Sequence, residues 1–180
     1  MRAFVALDLP EALVRPLTRL QAGLTVGRAV PEENLHLTLA FLGDVADATA
    51  YEIAEALAGL RLGQVVVELS GLDLYGRRRP AVLAVRAKGD GLEPLHAKVM
   101  RLAREAGVPL QRERFRPHVT VARFPREMGA KDQTRLGEFI ALNGTFSLDP
   151  EPAPSVTLYR SHLGQDGAFH EPLASFPLTG

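Results

Sequence analysis

His36-Leu37-Thr38-Leu39-Ala40-Phe41-Leu42-Gly43 is a short apolar run broken by one imidazole and one hydroxyl, two positions apart. In an extended strand residues i and i+2 share a face, so His36 and Thr38 project side by side while Leu37 and Leu39 point the other way, into a core. The chain then says the same thing again: His118-Val119-Thr120-Val121-Ala122-Arg123-Phe124 carries a second His-x-Thr on a second apolar strand. One histidine in an apolar strand reads as a packed core residue with a satisfied ring. Two copies of the pattern, in matching places of one small protein, read as the two halves of a site.

Hydrophobic periodicity orders the rest around these two strands. Arg2 to Leu9 alternates as a strand, and Pro10 opens a helix running to about Gly23, which Pro16 should kink or delay. Residues 47–60 form an amphipathic helix, and Val65 to Leu69 a strand followed by a turn-rich stretch, Gly71 to Pro80. Ala81 to Ala87 is a strand, Leu92 to Ala106 a helix ended by Gly107-Val108-Pro109, and Lys131 to Leu142 a further helix. Short strands at Phe146 to Leu148 and Ser155 to Tyr159 flank the proline-rich segment Asp149 to Pro154, and a last strand runs from Ala168 to Leu178. Each half thus reads helix, His-x-Thr strand, helix, strand, loop, strand, with Gly89-Asp90-Gly91 between them. The expectation is an α+β fold: one domain of residues 1–180 with two similar lobes, halves 1–88 and 92–180, free to exchange terminal strands. Two antiparallel-rich sheets should flank a central cleft across a pseudo-two-fold axis, with the helices outside.

The composition is that of an ordinary folded domain, 46% hydrophobic and 23% charged. Lys plus Arg equals Asp plus Glu at 21 each, so any grip on phosphate has to come from a local patch rather than from net charge. The chain has no cysteine, which removes disulfides, thiolate metal sites and cysteine nucleophiles and fits a reducing compartment. Asp8 and Pro10 cut the N-terminal apolar run too short for a signal-peptide core, and no later run approaches a membrane span. A cytoplasmic, soluble monomer is the expectation.

Two imidazoles facing each other across a cleft suit paired proton transfer, one accepting while the other donates. A hydroxyl beside each can donate a hydrogen bond to a non-bridging phosphate oxygen. Two His and two Thr therefore make a cradle for a tetrahedral anion, and hydrolysis or cyclisation of a phosphate diester is the reaction it serves best. Zinc is the competing chemistry, but neither motif holds a carboxylate, and His96, His162 and His170 show no ligand spacing. Neither a G-x-S-x-G elbow nor a nucleotide-binding glycine motif occurs. No metal and no cofactor is expected.

The two motifs, the first inside Pro31-Glu32-Glu33-Asn34-Leu35-His36-Leu37-Thr38-Leu39-Ala40-Phe41-Leu42-Gly43, resemble those of the 2H phosphoesterase superfamily. More narrowly, the chain resembles the bacterial and archaeal RNA 2′,3′-cyclic phosphodiesterases, also called 2′-5′ RNA ligases. Arg2 to Leu7, Phe115 to Arg123 and Leu158 to Leu163 share in the likeness. The resemblance implies a bilobal fold with a V-shaped or tunnel-like cleft. It implies metal-independent opening of 2′,3′-cyclic phosphate RNA ends, or of small cyclic nucleotides, to 2′-phosphates, with reversible, ATP-independent 2′-5′ ligation.

By the same resemblance His118 is the proton acceptor and His36 the proton donor, Thr38, Thr120 and Arg123 bind phosphate, and Phe41 stacks on the terminal base. Strand parity objects to the last two. Phe41 and Arg123 each lie five positions beyond their histidine, an odd offset that puts them on the opposite face unless a bulge intervenes. Core packing is the alternative for Phe41. Arg77, Arg78 and Arg79, in a turn between two strands, are expected to touch the RNA backbone. Arg160, Ser161 and His162 match the family's closing segment without an evident chemical step. The alternatives are an RNA 3′-end exonuclease, a 2′-5′ oligonucleotide phosphodiesterase, and a module that holds RNA ends without turnover.

Overall fold

A computed structural model describes residues 1–179. In chain order the elements are β1 (Arg2–Asp8), α1 (Glu11–Ala22), β2 (Arg28–Ala29), a 3-10 turn (Glu32–Asn34), β3 (His36–Asp44), α2 (Asp47–Ala58), β4 (Val66–Tyr75) and β5 (Val82–Lys88). They continue with α3 (Leu92–Glu105), β6 (His118–Arg123), α4 (Ala130–Leu142), β7 (Ser147–Pro152), β8 (Ser155–Gly164) and β9 (Gly167–Pro177).

All strand pairs are antiparallel, in the order β7-β4-β5-β6-β3-β1-β8-β9, with β2 on β6. The middle junction differs from the others. β3 and β6 share one paired position, Leu37 with Val119, so two four-stranded lobes meet at the central residue of each His-x-Thr motif. Both residues are fully buried, and the strands part on either side of them. The β3 lobe takes β8 and β9 from the C-terminal end of the chain, and the β6 lobe takes β4 and β5 from before Gly89. The helices follow the same logic: α3 packs on β3, with α2 between α3 and β9, while α1 packs on β6 and β7. Phe139 of α4 lies against Gly23 at the end of α1.

The mixed α/β architecture agrees with the expectation, and the internal symmetry begins one strand earlier than the sequence suggested. β1-α1-β3-α2 repeats as β5-α3-β6-α4, and the registers correspond. Asp8, Ala6, Val5 and Phe4 of β1 face His36, Thr38, Ala40 and Phe41; Arg86, Ala84, Leu83 and Val82 of β5 face His118, Thr120, Ala122 and Arg123.

Three local expectations are corrected. α1 starts at Glu11 and runs through Pro16 without interruption, its first turn closed by Leu13 and Val14 N–H groups on the Pro10 carbonyl. β4 does not stop at Leu69. The ladder skips from Leu69 to Leu72, and Gly71, at φ +82°, supplies the bulge that carries the strand on to Tyr75. β7 runs through Pro150 and Pro152, which an edge strand tolerates because its outer side needs no donors.

Candidate active site

The faces of β3 and β6 opposite Leu37 and Val119 line a cleft of about 500 Å³. His36, Thr38, Phe41, His118, Thr120 and Arg123 all line it. Because the two strands run antiparallel about Leu37 and Val119, His36 and Thr120 lie on one side of the junction and His118 and Thr38 on the other. The two imidazoles therefore line the same cleft from opposite sides of the junction.

The parity objection is answered by a bulge at the same place in both strands. On β3 the ladder passes from Thr38 to Ala40, skipping Leu39; on β6 it passes from Thr120 to Ala122, skipping Val121. Two consecutive residues, Leu39-Ala40 and Val121-Ala122, are thereby buried together. The next side chains, Phe41 and Arg123, are turned back to the histidine face. Phe41 is 72% exposed on the cleft wall, so core packing is not its role.

Each histidine is oriented by the carbonyl two residues before it. His36 Nδ1 donates to Asn34 O at 2.7 Å and His118 Nδ1 to Arg116 O at 2.7 Å. A carbonyl can only accept, so Nδ1 carries the proton in both rings and Nε2 faces the chemistry. At His36 the Thr38 hydroxyl lies 3.1 Å from Nε2 and donates to it.

The surroundings of the two rings differ. Phe4 stacks on His36 at 4.9 Å and on Tyr159 at 5.2 Å, and His170 of β9 meets His36 edge-on at 5.4 Å. Burial, chiefly, with His170 and Arg123 adding to it, lowers the His36 pKa from 6.5 to about 4, although the Asn34 carbonyl and Asp8 pull the other way. Asp8, opposite His36 in the ladder, accepts hydroxyls from Ser155, Thr157 and Tyr159 at 2.5, 2.6 and 2.6 Å. Burial and that bond to a carboxylate push the Tyr159 phenol up. His118 instead stacks on Tyr75 of β4 at 4.7 Å.

Arg77, Arg78 and Arg79 do not reach the cleft. They line a neighbouring recess with Phe124, Pro125 and Arg126, and Arg79 donates to the Arg126 carbonyl. Of the closing segment, Ser161 lines the cleft, while His162 pairs with Glu171 at 2.7 Å.

Several residues of the site carried no local signal. Asn34 donates from its side chain to Ala168 O at 2.7 Å, and His170 keeps a buried Nδ1 without a partner among the described residues. Burial, then Arg123, lowers the His170 pKa. Arg28 joins the cleft from β2. His170 and Arg28 meet the motifs only through long-range contacts, and the Asn34 side chain likewise reaches β9. Among the described residues no three His, Asp or Glu side chains are grouped to hold a metal ion, and no helix is long and apolar enough to cross a membrane.

The arrangement offers two inward Nε2 atoms, two hydroxyls, an arginine and an exposed aromatic ring around one cleft, a set suited to an anion with a planar base attached. Comparison with known proteins points the same way. A model of LigT-like phosphoesterases matches residues 7–84. An RNA 2′,3′-cyclic phosphodiesterase of Aeropyrum pernix is 32% identical over 149 residues, 81% of this chain and 83% of that protein. LigT of E. coli, in a crystal structure with ATP, is 26% identical with a TM-score of 0.73, over 99% of this chain and 98% of that one. TT0787 of Thermus thermophilus shares the fold with a TM-score of 0.78 at 24% identity, over 99% and 98% of the two chains. With the paired motifs, their matched bulges and this likeness together, the chain belongs to the LigT-like family of 2H phosphoesterases.

Proposed function

We propose that the protein hydrolyses RNA ends bearing a 2′,3′-cyclic phosphate, leaving a 2′-phosphate and a free 3′-hydroxyl. The observation that carries the reading is the junction of β3 and β6, where one shared rung gathers both His-x-Thr pairs and both bulges send Phe41 and Arg123 to the same face. Relatives named as RNA 2′,3′-cyclic phosphodiesterases support the substrate class.

In this mechanism Thr38, Thr120 and Arg123 hold the non-bridging phosphate oxygens, and Phe41 stacks on the terminal base. His118 Nε2 takes a proton from water as the water oxygen bonds to phosphorus. The P–O3′ bond breaks, and His36 Nε2–H gives its proton to O3′. In the free protein His36 is neutral near pH 7, so it takes up a proton from solvent as the substrate binds, the phosphate charge favouring the imidazolium. Replacing water by a 5′-hydroxyl gives a 2′-5′ linkage through the same two transfers. The energy of the cyclic diester is then conserved in the new bond, so no ATP is needed. Every step is assigned to the side chains that line the cleft.

Turnover of a dinucleotide ending in a 2′,3′-cyclic phosphate, with the product identified as the 2′-phosphate, tests the reading. His36→Ala and His118→Ala should each lose roughly 10²–10⁴-fold in kcat. Ordinary turnover by the double variant would sink it, as would loss of activity on exhaustive chelation. The direction of proton flow has its own check. With sulfur in place of the bridging 3′ oxygen, the thiolate leaves without an acid, so this substrate should rescue the His36 variant and not the His118 variant. The opposite rescue would reverse the two roles.

A further inference from the structure

The two-residue strand β2 contributes nothing to the core, since Arg28 and Ala29 are both exposed. It does set Arg28 directly opposite Arg123 of β6, with both side chains lining the cleft. Residues opposed in this way share a face, and like charges so placed destabilise a sheet. Neither guanidinium has a carboxylate partner among the described residues.

The segment is nevertheless held firmly in this unfavourable pairing. Gly27, at φ +73°, approaches β6 so closely that an added Cβ would lie 2.5 Å from the Phe124 ring and 2.7 Å from the Arg123 carbonyl. Val30 N–H donates to the Val121 carbonyl at 2.9 Å, and buried Gln21 donates from Nε2 to the Val30 and Val121 carbonyls at 2.8 and 2.9 Å. Arg28 Nη1 donates to the Asp166 carbonyl at 2.6 Å, which fixes the guanidinium against the β8–β9 turn at the mouth of the cleft.

A cyclic diester carries one negative charge, and Arg123 with the two threonines already meets it. A second guanidinium on the same face calls for a second anion. We propose that Arg28 binds the phosphate on the 5′ side of the terminal nucleoside, so that the cleft reads two consecutive phosphates and takes RNA ends in preference to nucleoside cyclic phosphates. This rests on the hydrolytic reading of the site and names its substrate class more narrowly.

The test compares adenosine 2′,3′-cyclic phosphate with the same compound carrying a 5′-phosphate. Wild-type kcat/KM should favour the 5′-phosphorylated form by about tenfold or more, as expected for charge-assisted bonds to one arginine. Arg28→Ala should erase the preference and Arg28→Lys keep part of it. Equal wild-type rates on the two substrates overturn the proposal. So does an Arg28→Ala variant that slows both by the same factor, the result expected if Arg28 only tethers the β8–β9 turn. Calorimetric titration with adenosine 2′-phosphate and adenosine 2′,5′-bisphosphate reads the same subsite without turnover. If neither cyclic compound is hydrolysed, the hydrolytic reading fails, and tighter, Arg28-dependent binding of the bisphosphate still decides the subsite.

Discussion

His36 shows how one side chain couples the site to the fold. Its pKa of about 4 against 6.5 means that the unfolded chain binds a proton between these values that the folded protein refuses. Its contribution is complete above pH 6.5 and is lost as the pH falls toward 4, amounting to about 3 kcal/mol by linkage. Urea midpoints measured between pH 4 and 8 should therefore fall on the acid side, and His36→Gln should flatten that slope. Parallel slopes in the two proteins would show that the ring is not held neutral by burial. Phe41 illustrates the converse. A ring 72% exposed on a cleft wall costs apolar surface left in water, which a stacked base would cover.

At the scale of the strand, the paired bulges at Leu39 and Val121 decide which residues face the cleft. The one on β6 is secured from outside by Gln21, whose amide bonds the Val121 carbonyl at 2.9 Å. Gln21→Leu leaves the half-buried Val30 carbonyl short of its donor, at a cost of about 1 kcal/mol, and loosens the turn that aims Arg123. A lower melting temperature is expected together with a weaker inhibition constant for inorganic phosphate. Loss of stability with phosphate binding intact would confine Gln21 to packing. The histidine and threonine pairs were legible in the sequence because alternation alone assigns them a face. The bulges were not, because one extra residue in a ladder leaves no trace in composition. Helices read well from their periodicity, except that α1 runs through Pro16, where a kink or a later start was expected. The strands β4 and β7 read short, since Gly71 and the prolines signal turns unless a bulge or a free edge excuses them. Asn34, His170 and Arg28 went unseen for another reason: their partners lie more than a hundred residues away in the chain.

Over the whole molecule charge cancels, and yet its cations are unevenly used. Arg77, Arg78, Arg79 and Arg126 surround Phe124 and Pro125 with no acidic side chain lining the same recess and no ion pair among the described residues. Phe124 also abuts Gly27, next to Arg28, so this basic surface continues from the cleft. Joint replacement of Arg77 and Arg78 by alanine should weaken an RNA oligomer and lower its log–log salt slope by about 1 to 2. Hydrolysis of a mononucleotide cyclic phosphate, which ends at the cleft, should hardly change; equal losses on both substrates would place these arginines elsewhere in the mechanism. The exchange of strands between lobes has a consequence for how the chain reaches this form. β1 lies between β3 and β8, pairing Leu7 with Val156, so the first strand made waits for one of the last. Each lobe draws its strands from both sides of Gly89 to Gly91, β1 and β3 joining β8 and β9 in one, and β4 and β5 joining β6 and β7 in the other. Fragments cut at Gly89 to Gly91 should therefore stay unstructured when separate, and the intact protein should unfold in a single cooperative transition and refold slowly for its size, as distant pairings require.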